Sequence, residues 1–259
     1  MNLPQEILDE ILSHLPPDDD LSLHQCSLVS KSWLEPSRRR LFSDIRIGEE
    51  HHQRWLDKIS PANTGLLRHV RSFTYFPELF DHDYPRPGIC ALRDYLPSLC
   101  QLRALTFSDL HIEPTISENL EIFTAFRQTL SSLSFNQVRI TWSAFVALIG
   151  CFPNLKKLDV QMSRFMVDDS PVPQLSHVLR GTLLVSNYRF IDTEPFIDRL
   201  HTLKPEFDEL VIIWDYDHRL AAAVGPSLKY LSVDSCRGTF PQNSRLLLDQ
   251  GTDSTPFFR

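Results

Sequence analysis

One pattern constrains this chain more than any other: large apolar residues spaced as L-x-x-L-x-L return along most of its length. The frame fits Val70/Phe73/Tyr75, Leu102/Leu105/Phe107, Leu130/Leu133/Phe135, Leu155/Leu158/Val160, Phe207/Leu210/Ile212 and Leu228/Leu231/Val233, with a poor instance at Arg180/Leu183/Val185. Successive starts are 32, 28, 25, 25, 27 and 21 residues apart. Between them run helix-like segments: Ala91 to Leu102, Ile116 to Leu130, Thr141 to Phe152 and Thr193 to Leu203. A strand followed by a helix, repeated at such a period, buries its apolar side only by stacking on its neighbours. The expected fold class is therefore α/β, a curved solenoid with a parallel sheet over residues 66–238 behind a small helical N-terminus.

This frame resembles leucine-rich repeats of the irregular kind. The Asn or Cys usual eight residues after the first Leu of such repeats occurs only as Cys236; Leu110, Val138, Ser163, Tyr188 and Asp215 stand at the other places. Side chains alternate along a strand, so Ser72/Thr74/Phe76, Ala104/Thr106/Ser108, Ser132/Ser134/Asn136, Lys157/Asp159/Gln161, Glu209/Val211/Ile213 and Tyr230/Ser232/Asp234 should form the concave face of the arc. Most are small, uncharged and hydrogen-bonding.

The first forty-odd residues predict a separate helical unit. Pro4 suits the start of a helix, Gln5 and Glu6 follow in the first turn, and Pro16-Pro17 forbid continuation. Ile7, Leu8, Ile11, Leu12 and Leu15 recur at helical spacing as one apolar stripe. Asp18, Asp19 and Asp20 supply caps for a second helix expected to reach the neighbourhood of Trp33, before Glu35-Pro36 interrupts it. On that helix Cys26, Val29 and Trp33 share one face while Leu21 and Leu28 point elsewhere, so it needs two neighbours. A unit of this size has too little interior to cover both faces alone.

Leu3-Pro4-x-Glu6-Ile7-Leu8-x-x-Ile11-Leu12-x-x-Leu15, then Asp20-Leu21, then Leu28-Val29-Ser30-Lys31-x-Trp33, resembles the F-box motif over residues 2 to 46. It departs from the commonest pattern at Ser30, where many members have Cys, and in the Asp triplet. The resemblance implies docking to the S-phase-kinase-associated adaptor protein and, through it, to the cullin scaffold of a ubiquitin ligase. The docking residues it implies are Leu3, Pro4, Ile7, Ile11, Leu15, Leu21, Leu28, Val29 and Trp33, some also serving the domain's own core. The competing reading makes these leucines a helical cap on the next domain. The implied organisation is an F-box at 1–46, a helical connector at 47–65 (Trp55, Leu56, Ile59), repeats at 66–238 and a tail at 239–259. Pro241, Asn243, Gly251, Asp253 and Pro256 break regular structure in that tail, which is expected to be disordered or to mark a chain that runs on.

Nine residues after successive repeat starts stand His111, Arg139, Arg164, Arg189, Tyr216 and Arg237. Flanked by apolar pairs such as Leu110/Ile112 and Val138/Ile140, they should project from one rim as a basic ladder. Arginine forks there suit an acidic or phosphorylated segment of a recruited protein substrate; solvated charge at exposed strand ends is the plain alternative. Arg38-Arg39-Arg40 has the same two readings, steering of an acidic partner or a solvated face.

Composition narrows the rest. A net charge of −7 and a pI near 5.8 argue against non-specific nucleic-acid binding. Apolar runs such as Ala144 to Ile149 are too short to span a bilayer, and the first residues do not resemble a leader, so cytoplasm or nucleus is expected. Five cysteines, widely spaced and without a C-x-x-C pair, fit neither a disulfide framework nor a zinc finger. Nucleophile-elbow, phosphate-loop and H-E-x-x-H motifs are absent from the sequence. Asp81-His82-Asp83 and Asp215-Tyr216-Asp217-His218 read as surface loops rather than metal sites, because neighbouring side chains diverge in an extended chain. No cofactor and no metal are expected. What the F-box resemblance implies is a non-catalytic substrate receptor; an interaction scaffold outside any cullin complex, and an enzyme with an unfamiliar site, remain the rivals.

Overall fold

Three cap residues shape the N-terminus. The structure, a computed structural model, describes residues 3–16, 19–48, 64–76, 93, 96–112, 120–166, 168, 171–187, 193–214, 218–224, 227–234 and 244–247. Helix α1 (Gln5–Ser13) follows Pro4, held extended at φ −56° and ψ 149°. Helix α2 (Asp20–Val29) is capped by Asp19, whose carboxylate accepts the Ser22 N–H at 3.0 Å. Bonds from the Ser22 hydroxyl and N–H hold the Asp19 carboxyl below its usual range. Helix α3 (Lys31–Leu41) starts after Ser30, which is fully extended at φ −163° and ψ 170°.

Here the expected second helix is two. The break falls at Ser30, and Trp33 therefore belongs to α3. Pro36, expected to end a helix, lies inside α3 and is buried. It costs α3 one backbone hydrogen bond, which ties from Glu35, Arg39 and Arg40 to neighbouring segments offset.

The sheet begins earlier than the periodicity suggested. Strands β1 (Asp44–Gly48), β2 (Ser72–Phe76), β3 (Ala104–Ser108), β5 (Ser132–Asn136), β7 (Lys157–Gln161), β9 (Arg180–Asn187), β10 (Glu206–Trp214), β11 (Tyr230–Asp234) and β12 (Ser244–Leu247) form one nine-stranded sheet in that order. All pairs are parallel except β11 with β12, which is antiparallel. Strands β4 (His111–Ile112), β6 (Arg139–Thr141) and β8 (Arg164–Met166) make a second parallel sheet. Strand β12 is a regular element inside the tail where none was expected; the rest of that tail and residues 49–63 of the connector lie outside the described residues.

Register explains the sequence frame. Phe73, Leu105, Leu133, Leu158, Leu183, Leu210 and Leu231 are aligned strand to strand, as are Tyr75, Phe107, Phe135, Val160, Val185, Ile212 and Val233. Both rows enter one apolar core. Ile45 and Ile47 extend the rows to β1. From β1 to β7 one carbonyl before each strand accepts two N–H groups of the next: Ser43 from Arg71 and Ser72, Arg71 from Arg103 and Ala104, Arg103 from Ser131 and Ser132, Ser131 from Lys156 and Lys157.

The poor instance at Arg180 has a local cause. Leu179, one residue earlier, is the buried residue, and Arg180 is exposed and bonded to Glu206 at 3.0 Å. Gly181 adapts the backbone there: its φ is +95°, and a Cβ there would lie 2.1 Å from the Lys156 carbonyl oxygen. The register of β9 and β10 shifts opposite it.

Helical segments cover the core side of the sheet. Helix α4 (Thr64–Leu67) precedes β2; α5 (Trp142–Gly150), capped by Thr141, is buried from Trp142 to Ile149; α6 (Thr193–Thr202) and α7 (His218–Val224) follow β9 and β10. Trp142, Phe145, Phe165 and Phe196 form an aromatic cluster, with Phe165 and Phe196 stacked at 4.6 Å. In place of the helices expected from Ala91 and Ile116, the described residues hold 3-10 turns at Leu96–Ser98 and Leu120–Phe126. Pro97 lies in the first. In the second, the Thr124 hydroxyl donates to the Glu121 carbonyl and competes with the helical ladder.

Candidate protein-docking surfaces

The apolar stripe of α1 divides along its length. Leu8 and Leu12 are buried, together with Leu23 of α2, whereas Leu3, Ile7 and Ile11, one helical row away, stay 40–47% exposed. Both α1 and α2 pack on α3. On α2, Leu21, Leu28 and Val29 are 70%, 72% and 67% exposed. Pro4 is exposed, and Leu15 and Trp33 are half-buried. Seven of the nine residues expected to dock therefore present apolar surface to solvent, while Leu8, Leu12 and Leu23 face the unit's interior. Clustered exposed side chains of this size mark binding surfaces more often than accident.

Polar ties hold this face in place. The Arg40 guanidinium donates to the carbonyls of Leu12 and Leu15, the latter at 2.6 Å, satisfying groups left open at the end of α1. Arg39 meets Asp9 at 3.6 Å, while Arg38 is exposed. The arginine run thus splits: Arg40 is a fastener, a role neither sequence reading gave it. Glu35 connects α3 to the segment before β2 through Arg68 at 2.9 Å and His69 at 3.2 Å. Burial lowers the His69 pKa and Glu35 opposes that shift.

Three rungs of the expected ladder adjoin. His111 on β4 pairs with Arg139 on β6, which pairs with Arg164 on β8. Arg139 and Arg164 are exposed and His111 half-buried. Among the described residues neither arginine side chain has an ion pair or hydrogen bond. Arg189, Tyr216 and Arg237 lie outside the described residues.

Turn geometry aligns these rungs. Asp109, Gln137 and Met162, each two residues before a rung, have φ of 54°, 56° and 46°. The N–H of each donates to the next strand, at Asn136, Gln161 and Ser186. Ser163 fills the place where Asn or Cys is usual: its buried hydroxyl accepts the Val138 N–H at 3.2 Å and faces the Gln161 carbonyl at 2.9 Å. The signal for this in the sequence is Ser163 itself.

The face of the main sheet opposite the core carries the alternate residues expected there, mostly half-buried. Asp159 is only 6% exposed, and burial raises its pKa although the Gln161 amide, bonded at 3.0 Å, lowers it. The other Asp159 carboxylate oxygen, Oδ1, and Asn136 Oδ1 are buried without a partner. Asn136 donates to Ser108 Oγ at 3.4 Å, and Thr182 to Glu209 at 3.1 Å.

One cleft, of 490 Å³, lies between the Leu120–Phe126 turn, the end of α5 and Pro173–Ser176. Its one thiol, Cys151, is pushed up to about 11 by burial and stays protonated near neutrality. Among the described residues no three His, Cys, Asp or Glu side chains gather as a metal site. The Asp81-His82-Asp83 run and residues 215–217 lie outside them. No helix among the described residues is long and apolar enough to cross a membrane.

Residues 1–35 match the family model of the F-box domain, so the exposed apolar face of α1 and α2 belongs to an F-box. F-box domains in general bind the S-phase-kinase-associated adaptor protein within cullin-RING complexes, serve substrate recognition by ubiquitin ligases and are non-catalytic. No curated protein matches the chain.

Proposed function

We propose that the chain is a substrate-recognition subunit of an SCF-type ubiquitin ligase, its F-box docking the adaptor and its sheet domain holding a protein substrate. The observation that carries the reading is the division of the N-terminal apolar residues. Leu8, Leu12 and Leu23 turn inward while Leu3, Pro4, Ile7, Ile11, Leu21, Leu28 and Val29 remain outside. A cap on the following domain needs no second apolar face. Leu15 and Trp33, half-buried, serve both the unit and the docking surface. The work of such a subunit is proximity: it raises the effective concentration of substrate near the charged ubiquitin carrier without making or breaking a bond. Cytoplasm or nucleus is the compartment this role requires.

Residues 66–238 are read as an irregular leucine-rich-repeat arc. Strand order in sequence order, in-register apolar rows, equivalent left-handed turn residues and Ser163 support it. On that reading His111, Arg139, Arg164 and, further along, Arg189, Tyr216 and Arg237 form a basic rim for an acidic or phosphorylated substrate segment.

Calorimetric titration with purified adaptor tests the docking half. Leu3→Ala with Pro4→Ala should weaken binding at least about tenfold, since one well-buried aliphatic side chain contributes roughly 1.5–3 kcal/mol. Unaltered affinity in a folded variant contradicts the assignment. Arg139→Glu with Arg164→Glu should leave adaptor binding unchanged and abolish ubiquitin-ligase-dependent turnover of the substrate; unchanged turnover removes the rim from the mechanism.

A further inference from the structure

Asp159 and Asn136 occupy neighbouring strands on the sheet face away from the core. Asp159, at the centre of β7, pairs in register with Ser134 of β5, and Asn136 is two residues on, opposite Gln161. A carboxylate that is 94% removed from solvent needs compensation. It receives little here. One oxygen takes the Gln161 amide at 3.0 Å; Oδ1 has no hydrogen-bond partner, nor has the Asn136 amide oxygen. Lys157, two residues earlier and on the same face, is exposed, and its charge and the Ser134 hydroxyl favour the carboxylate without offsetting its burial. Two acceptors without a hydrogen-bond partner, Asp159 Oδ1 and Asn136 Oδ1, and the Ser134 hydroxyl thus lie on adjacent strands of one face, beside Lys157 and Leu184.

We propose that Asp159, Asn136 and Ser134 form a subsite on the outer face of the sheet for an arginine side chain of the captured protein. A planar guanidinium brings several donors in a fixed fork, which matches adjacent acceptor oxygens better than a single ammonium. Its charge compensates the buried carboxylate, and its donors displace the Gln161 amide. The rim three residues further along each repeat, Arg139 and Arg164, carries the opposite charge. A segment with an arginine and, beyond it, acidic groups would satisfy both surfaces at once. The inference rests on reading the sheet as the substrate-holding surface.

The test is a titration of isotope-labelled full-length chain with N-acetyl-arginine amide, followed by NMR, with N-acetyl-citrulline amide as the neutral isostere. Saturable shifts at residues 134–136 and 159–161, at least about tenfold weaker for citrulline, are expected from the strength of a charge-assisted bond. Asp159→Asn should remove them. Gln161→Ala, which frees the carboxylate, should bind the arginine amide at least as tightly as the native chain, and keeps the test available if Asp159→Asn does not fold. Equal binding of both amides, shifts only elsewhere, or loss in Gln161→Ala overturns the subsite. Adaptor binding by the same variants is read separately: its persistence with no arginine response refutes this inference alone, and its absence beside an arginine response refutes the receptor reading alone.

Discussion

Gly181 shows how much one residue decides. It has a φ of +95° and lies against the Lys156 backbone, where a methyl group would overlap the carbonyl oxygen. Gly181→Ala should therefore cost about 1–3 kcal/mol in urea unfolding; a change within error would show that the start of β9 relaxes freely. Asp159 gives a pH prediction. Its folded pKa is raised above the ordinary value of 3.8 by burial. The unfolded chain loses that proton first, so the native state binds more protons between the two pKa values and stability falls as pH rises through that window. Asp159→Asn should have a higher Tm than the native chain above the window, with the gap closing toward acid; a lower Tm at neutral pH contradicts the account. At this scale the sequence was partly legible. Ser163 stood out as the polar residue at the usual Asn place, but Asp109, Gln137 and Met162 gave no hint of positive φ, because that conformation is enforced by cross-strand bonds rather than by glycine.

Elements were read well where one period dominates and poorly where two demands compete. The stripe of α1 was visible, yet its division into buried Leu8/Leu12 and exposed Leu3/Ile7/Ile11 depends on where α3 sits, which no local pattern states. Leu12→Ala should destabilise the N-terminal unit by about 2–5 kcal/mol. Ile11→Ala should leave its stability within about 1 kcal/mol while lowering adaptor affinity. Equal unfolding costs for the two would place both residues in the core. The helix break at Ser30 was missed because Leu28-Val29 and Trp33 sustain the apolar rhythm across it. Strand β1 was missed for the opposite reason. Phe42, Ile45 and Ile47 repeat the L-x-x-L-x-L frame 28 residues before Val70, but they adjoin α3 and were read with the helical unit.

For the whole molecule, the α/β class, the helical N-terminus and the large parallel sheet follow from periodicity alone, since a period near 25 residues fixes which apolar rows align. The F-box was legible through its motif over the N-terminal residues. What the proposed substrate surface would hold was not, because small hydrogen-bonding side chains suit many partners. Glu35, paired with Arg68, ties the F-box to the segment that begins the sheet; on the proposed receptor reading this restricts the distance between the substrate and the adaptor. The most direct measurement of the central claim is co-purification of the tagged full-length chain from cells, scoring adaptor and cullin together beside the Leu3→Ala/Pro4→Ala variant. The account predicts both with the native chain and neither with the variant. Adaptor without cullin, or neither from a folded native chain, would contradict the receptor assignment.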